Sequence, residues 1–425
     1  MTGGRRGRRP RSRFALHDGP VVPTAGPSRM FSPTLEPRTE AAAGPVEPPT
    51  IRVTHVVFDF DGGGLESLVA AMAGRFRGTA VTVSLITLSG RVGRLGAATR
   101  DRFDQFIVAR PARGVSMLLP LGLARDIRRT RADVVHVHSG SWYKGAKAAR
   151  LAGVGRVVYT EHGREHDDPR VQRWLDRRAA ARTSVVVAVS TRLRDYLANV
   201  VGVDAAKLRV VHNAVDTGAF APGPAPAALR SRLAIPPDAL VVGSVGRLEL
   251  VKGYDRLIEA AAALRGRLSR PFAVVIAGDG SQRETLRAHA ERLGVGQLVH
   301  LPGWTDDPVS FYRMLDVFVL SSRSEGESVS LMEAMACGIA PVVTAVGASA
   351  EIVGPELRAQ VVPAEQPQAL AEAIAATLGA PPLGRAREIG ALVRRRACEH
   401  YGLEGMVAAY EREYRGEAVP RAPAL

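Results

Sequence analysis

From Ile51 onward, short β-branched runs alternate with longer Ala- and Arg-rich amphipathic stretches. IRVTHVVF, AVTVSLITL, DVVHVH, RVVYT, SVVVAVS and LRVVH come first. These runs are apolar on both faces, as strands are when helices cover a parallel sheet on each side. The stretch NAVDTGAFAPGPAPAALRSRLAIPPD then collects Pro, Gly and Ala and breaks the pattern. The alternation restarts with LVVGSVG, FAVVIAG, LVHLPG, DVFVLS and APVVT. The pattern predicts an α/β chain of two doubly wound parallel sheets facing a cleft, with ligands beyond the carboxyl ends of the strands. Five segments are expected: a disordered Arg/Pro-rich tail over 1–50, a first domain over 51–215, a linker over 216–238, a second domain over 239–400, and a C-terminal helix over 401–416 packing back on the first domain. That helix carries Tyr410 and Tyr414 four residues apart.

Composition narrows the function classes. Hydrophobic residues at 46% supply a large core, and aromatics at 5% are too few for a platform that stacks single-stranded nucleic acid. The net charge of +15, carried mostly by Arg, favours acidic partners such as nucleotide phosphates or anionic lipid headgroups. Arg-rich composition plus a basic tail accounts for the charge equally well. The Arg residues are dispersed and form no recognition motif, so nucleic acid is not an expected partner. Cys337 and Cys398 make neither a disulfide framework nor a zinc site. The basic start has no apolar stretch after it, and no apolar run is long enough to span a bilayer; the expected compartment is the cytoplasm.

Four clusters carry candidate chemistry. In SSRSEGESVSLMEAMACGIAPVV, a strand enters a polar loop and then a helix that starts near Ser328. Glu325 therefore lies on the loop and Glu333 within the first turns. The free N–H groups near Ser328, Val329 and Ser330 suit a diphosphate, with a carboxylate on each side for hydroxyls. Ser330-x-x-Glu333 also fits a capping box, in which Glu333 serves only the helix terminus, and Glu325 also reads as an ordinary loop acid. In GSVGRLELVKGYDRLIEA, Arg247 and Lys252 follow a strand and could neutralise a departing diphosphate, or form a solvated surface pair. Gly63 and Gly64, in the DGGGLE loop, allow close backbone approach to a phosphate, or make a tight turn. His162 ends the strand of VVYTEHGRE, where it could meet a sugar or be purely structural; His136 and His138 read as packing or cleft-lining. Asp59-Phe60-Asp61 spells a metal-binding pattern, but its place at the end of the first strand argues against a metal there.

Together these motifs resemble the family 4 glycosyltransferases of GT-B fold, in which two Rossmann-like domains face a cleft. The resemblance spans about residues 52–415 and rests on Glu325-x7-Glu333 with AMACGIAPVV, on GRLELVKGYDRLIEA, on AGDG, on HNAVDTGAF and on the GGGLE loop. It implies an acceptor-binding first domain and a nucleotide-sugar-binding second domain. It implies a retaining hexosyl transfer that needs no metal or other cofactor. Arg247, Lys252, Gly63 and Gly64 would meet the diphosphate, with Ser328, Val329 and Ser330; Glu325 would bind the transferred sugar, Glu333 the ribose, and His162 would sit beside the sugar. The implied partners are a nucleotide-sugar donor, a glycan, lipid-linked or small-molecule acceptor, and an anionic membrane at its inner face. Glu327-Ser328 stands where many members carry Phe-Gly, which implies an altered sugar choice. The alternatives are a nucleotide-sugar epimerase on the same fold and a non-catalytic basic binding protein. Acceptor contacts are expected in loops such as Leu88–Arg102.

Overall fold

A computed structural model describes residues 49–111, 119–164, 168–379 and 384–417. The tail expected over 1–50 lies almost wholly outside the described residues. Seven parallel strands form the first sheet: β1 (Ile51–Val57), β2 (Val81–Thr87), β3 (Phe106–Val108), β4 (Val134–His138), β5 (Arg156–Glu161), β6 (Val185–Ala188) and β7 (Leu208–Val210). Their order is β3-β2-β1-β4-β5-β6-β7. The second sheet comprises β8 (Leu240–Val245), β9 (Phe272–Ala277), β10 (Val299–Gly303), β11 (Val317–Leu320), β12 (Ala340–Thr344) and β13 (Val361–Val362), in the order β10-β9-β8-β11-β12-β13. Both are doubly wound, and the order reverses between β1 and β4 and between β8 and β11. Such switch points open a crevice beyond the strand ends.

Each sheet is buried on both faces, which is why its central strands read as unbroken apolar runs. Val137, Val157 and Val186 face one core of the first sheet, and Val57, Val158 and Val187 the other. Val241, Val275 and Phe318 face one core of the second sheet, and Val242, Val274 and Val319 the other. Residues 216–238, expected as the linker, include a helix at Ala227–Arg232, and Phe220, Leu229, Leu233 and Ile235 pack into the second core.

The chain passes twice between the sheets, and the two passages lie side by side. Val215 N–H donates to Tyr401 O at 2.8 Å, and Leu403 N–H to Val215 O at 3.1 Å. Beyond this point the helix Leu403–Arg415 packs on the first domain, where Leu403, Met406, Tyr410 and Tyr414 join the core of β1 and β5. Arg75 ties the same joint from outside through Asp216 and Glu404, each at 2.9 Å.

Candidate active site

Loops from both switch points meet in the cleft. After β8, a single turn over Leu250–Lys252 ends at Gly253, whose φ of 61° is the left-handed region that glycine tolerates. A Cβ there would strike Ser321 O, so glycine lets this turn tuck beneath the loop after β11. Ser321 Oγ donates to Lys252 O at 3.0 Å and secures the contact. Lys252 Nζ then reaches Glu325 Oε1 at 2.6 Å, and Ser322 Oγ donates to the same oxygen at 2.6 Å. Arg247 is exposed at the strand end and makes no salt bridge among the described residues.

The helix after β11 spans Val329–Ala336, with Ser328 as its N-cap; Ser328 Oγ accepts from Leu331 N–H. Because Ser328 performs the capping, the alternative reading of Glu333 as a capping-box residue at Ser330 does not hold. Glu333 instead accepts from Tyr312 O–H at 2.7 Å, and burial raises its carboxyl to about 7. The N–H groups of Val329 and Ser330 belong to the first turn, which has no intrahelical acceptors, and their side chains are partly exposed.

The first domain brings a second open helix start. Gly63 is the N-cap of the helix Gly64–Phe76 and supplies no side-chain cap. A Cβ on Gly64 would sit 3.2 Å from Val329 Cγ2, and one on Gly62 would sit 2.7 Å from Trp304 Cη2, so the loop lies against the second domain. One on Gly63 would collide with the Glu66 carboxylate. Burial raises the Glu66 pKa, with Arg247 opposing. Two helix N-termini, from Gly63–Gly64 and Ser328–Ser330, thus lie against each other.

His162 follows β5 in a loop anchored by the buried Glu161. The Glu161 carboxylate accepts from Tyr159 O–H, Ser139 Oγ–H and Arg164 Nε–H, each at 2.6 Å. Arg164 also pairs with Asp168 and Asp176. The next residue, Gly163, would place a Cβ 3.1 Å from Gly326 Cα, and a Cβ on Gly326 would run into His162 O. Two glycines therefore let the loops bearing His162 and Glu325 touch.

Other residues take roles the sequence did not disclose. Glu327, expected to bear on sugar choice, points to the domain joint. His212 Nδ1 pairs with its Oε1 at 2.7 Å, Asn213 N–H donates to Oε2 at 2.5 Å, and Asn213 Nδ2 donates to its backbone O at 2.9 Å. Burial raises Glu327 to about 7 despite these partners. Its place in the HNAVDTGAF and SEGES motifs marked both partners, but not their pairing. Asp59 Oδ1 accepts from Phe60 N–H and Ser89 Oγ–H, and Asp61 Oδ1 from Arg94 N–H, so both acids brace loops. The cluster suited by composition to a metal is elsewhere: His55, His136 and His138 bring ligand atoms within 4.8 Å of one another. A small, partly open pocket lies beside Glu325, lined from the first domain by Gly163, Arg192, Leu193 and Tyr196 and from the second by Gly326 and Gly347. The loop Leu88–Arg102, expected to hold acceptor contacts, does not line it.

Two family models match the chain: Glycosyltransferase Family 4 over residues 62–219, and Glycosyl transferases group 1 over residues 227–389. The chain is 31% identical over 354 residues to a GDP-mannose-dependent alpha-(1-6)-phosphatidylinositol monomannoside mannosyltransferase of Mycobacterium tuberculosis, covering 77% of this chain and 89% of that one. It is 29% identical over 258 residues to a UDP-Gal:alpha-D-GlcNAc-diphosphoundecaprenol alpha-1,3-galactosyltransferase of Escherichia coli, covering 57% and 67%. Its fold matches that of HepE from Anabaena, solved in complex with UDP and glucose, with a TM-score of 0.73 at 20% identity over 86% of this chain and 100% of that one. The architecture is the GT-B fold.

Proposed function

We propose, given that this chain belongs to the family 4 glycosyltransferases, that it moves a hexosyl group from a UDP- or GDP-sugar to a glycan, lipid-linked or small-molecule acceptor, with retention of anomeric configuration. One observation carries the reading: Lys252 pairs at 2.6 Å with Glu325, on the loop that leads into the helix start at Ser328, and the helix start at Gly63–Gly64 lies against Val329 of that same helix. The N–H groups there and the Arg247 and Lys252 cations take the diphosphate. The same cations stabilise the charge that grows on it as the glycosidic bond breaks. Glu333 accepts from the ribose hydroxyls, Glu325 binds the sugar through its hydroxyls, and His162 stands beside the sugar. The acceptor hydroxyl enters from the pocket beside Glu325 and attacks on the face the diphosphate leaves; the departing phosphate oxygen takes its proton. With both charges supplied by side chains, the step needs no divalent metal. Titrating the protein with UDP, GDP and ADP in a thermal-shift assay, with and without EDTA, tests this. One nucleotide should stabilise the fold equally in both, and the reading fails if none binds or if EDTA abolishes the shift. NMR of the first-formed product gives its anomer.

The relatives' lipid-linked acceptors support a place at the cytoplasmic face of an anionic membrane. No described helix is long and apolar enough to cross a bilayer. The helix Arg170–Ala180 exposes Val171 and Trp174 among Arg170, Arg177 and Arg178, a mixture suited to headgroups. Co-sedimentation with anionic but not zwitterionic vesicles would support this contact; equal or no binding would exclude it.

A further inference from the structure

Behind His162 runs a file of buried imidazoles that the transfer reaction does not use. His162 Nε2 lies 3.1 Å from His138 Nδ1, and His138 Nε2 lies 2.9 Å from His55 Nδ1. His55 Nε2 faces Tyr414 Oη at 3.5 Å, and Tyr414 Oη lies 2.8 Å from His136 Nδ1. His136 Nε2 ends the file 2.8 Å from Thr160 Oγ1, which Tyr410 Oη meets at 3.0 Å. His55, His136 and His138 are fully buried. Burial lowers His55 to about 3, His162 to about 4, and the other two well below the ordinary value, so all four rings are neutral.

A neutral imidazole has one donor and one acceptor, so each ring's tautomer dictates its neighbour's. Burial keeps the Tyr414 phenol protonated, and its hydrogen goes to the nearer nitrogen, His136 Nδ1. His55 Nε2 then faces a phenol lone pair and carries its own hydrogen. His55 Nδ1 is left bare and accepts from His138 Nε2–H. His138 Nδ1 in turn accepts from His162 Nε2–H. Of the eight ring nitrogens, His162 Nδ1 is the one that is buried with no hydrogen-bond partner among the described residues, while Glu161 and then Asn213 oppose the burial that lowers the ring's pKa.

We propose that Tyr414, on the C-terminal helix, is a positioning residue for the donor site: through His55 and His138 it holds the hydrogen on His162 Nε2 and leaves Nδ1 a bare acceptor beside the Glu325 loop. The hydroxyl that would fill this lone pair rests on the glycosyltransferase reading above; the tautomer does not. A metal in the same cluster is the competing use of three histidines. Tetrahedral zinc at the usual Zn–N length spaces its ligand nitrogens by roughly 3.3 Å, whereas the 2.9 Å between His55 and His138 is a hydrogen-bond length.

Ring-nitrogen NMR of the full chain labelled with ¹⁵N-histidine, without any ligand, tests this. All four rings should be Nε2–H tautomers in the wild type. In Tyr414→Phe, His55, His138 and His162 should change together to mixed forms while the melting temperature moves little. If that variant fails to fold, the wild-type spectrum still tests the tautomers, and Tyr414→Trp or His55→Gln, read at His162, tests the relay. An Nδ1–H on His162, directed at Asn213, would overturn the proposal, as would a His162 ring unchanged in Tyr414→Phe, or one equivalent of zinc that resists EDTA.

Discussion

Lys252 and Glu325, seventy-three residues apart in sequence, form a 2.6 Å ion pair at the base of the cleft. The turn at Gly253 and the loop after β11 hold them in place before any ligand arrives, so little reorganisation is needed when charge develops on a leaving diphosphate. Lys252→Ala should lower kcat by about 10²-fold with the nucleotide-sugar identified by the thermal-shift screen, at little cost in melting temperature. Steady-state turnover equal to wild type would remove Lys252 from the mechanism.

Glu333 is a carboxyl raised to about 7 by burial, and the ribose-binding role proposed for it would be served best by its ionised form. Nucleotide affinity should therefore rise as pH increases through about 7. Glu333→Gln should bind the nucleotide more weakly at about pH 8 and show a flatter pH profile. Calorimetric titration of both proteins reads the difference and cancels the titration of the phosphate itself. A variant that keeps its affinity but melts much earlier would make Glu333 a packing residue.

The His212–Glu327 pair makes the domain joint sensitive to pH, and both partners act in one direction. Glu327 is held near 7, above its unfolded value, so the folded chain keeps a proton that the unfolded chain releases; stability falls as pH rises from about 4.5 to about 7. Burial pulls His212 down, but its bond to Glu327 outweighs this and its pKa is raised. Its contribution is fully present below about 6.5 and is lost as pH rises through the folded value. The melting temperature should drop between about pH 5 and about pH 8, and Glu327→Gln should reduce that slope. An unchanged slope would locate the sensitivity elsewhere.

Gly326 meets the backbone of His162, so a methyl group there cannot be absorbed by a side-chain rotation. Gly326→Ala should push the His162 and Glu325 loops apart and, with the nucleotide assigned as proposed to Arg247 and Glu333, reduce turnover more than nucleotide affinity. Comparing kcat with the nucleotide Kd checks this; equal losses in both would show a general collapse of the cleft.

Most of this architecture was legible. Ten of the thirteen strands exceed three residues, and their unbroken apolar runs identify parallel sheets. The strands that escaped notice, Phe106–Val108 and Val361–Val362, are edge strands of three and two residues, too short to show a period. The residues of the candidate site could be singled out because they lie on loops that follow strands or in the helices those loops enter. What stayed hidden is pairing across the fold. Nothing in the spacing says that Glu327 faces Asn213 rather than a sugar, or that Tyr312 bonds to Glu333. His136 and His138 read as packing or cleft-lining residues because alternation shows which face a side chain occupies, and says nothing of the hydrogen bond that His136 makes with Tyr414.

That tyrosine belongs to the last helix, and its position governs assembly during translation. Leu403, Met406, Tyr410 and Tyr414 complete a core whose other members come from residues 53–214. The first domain, although synthesised first, lacks one wall until the helix Leu403–Arg415 has left the ribosome, and domains generally fold as units in the order they emerge. The first domain therefore cannot close before the whole of the second has been made, and a released chain cut after Gly402 should keep the second core protected while the first is open to protease.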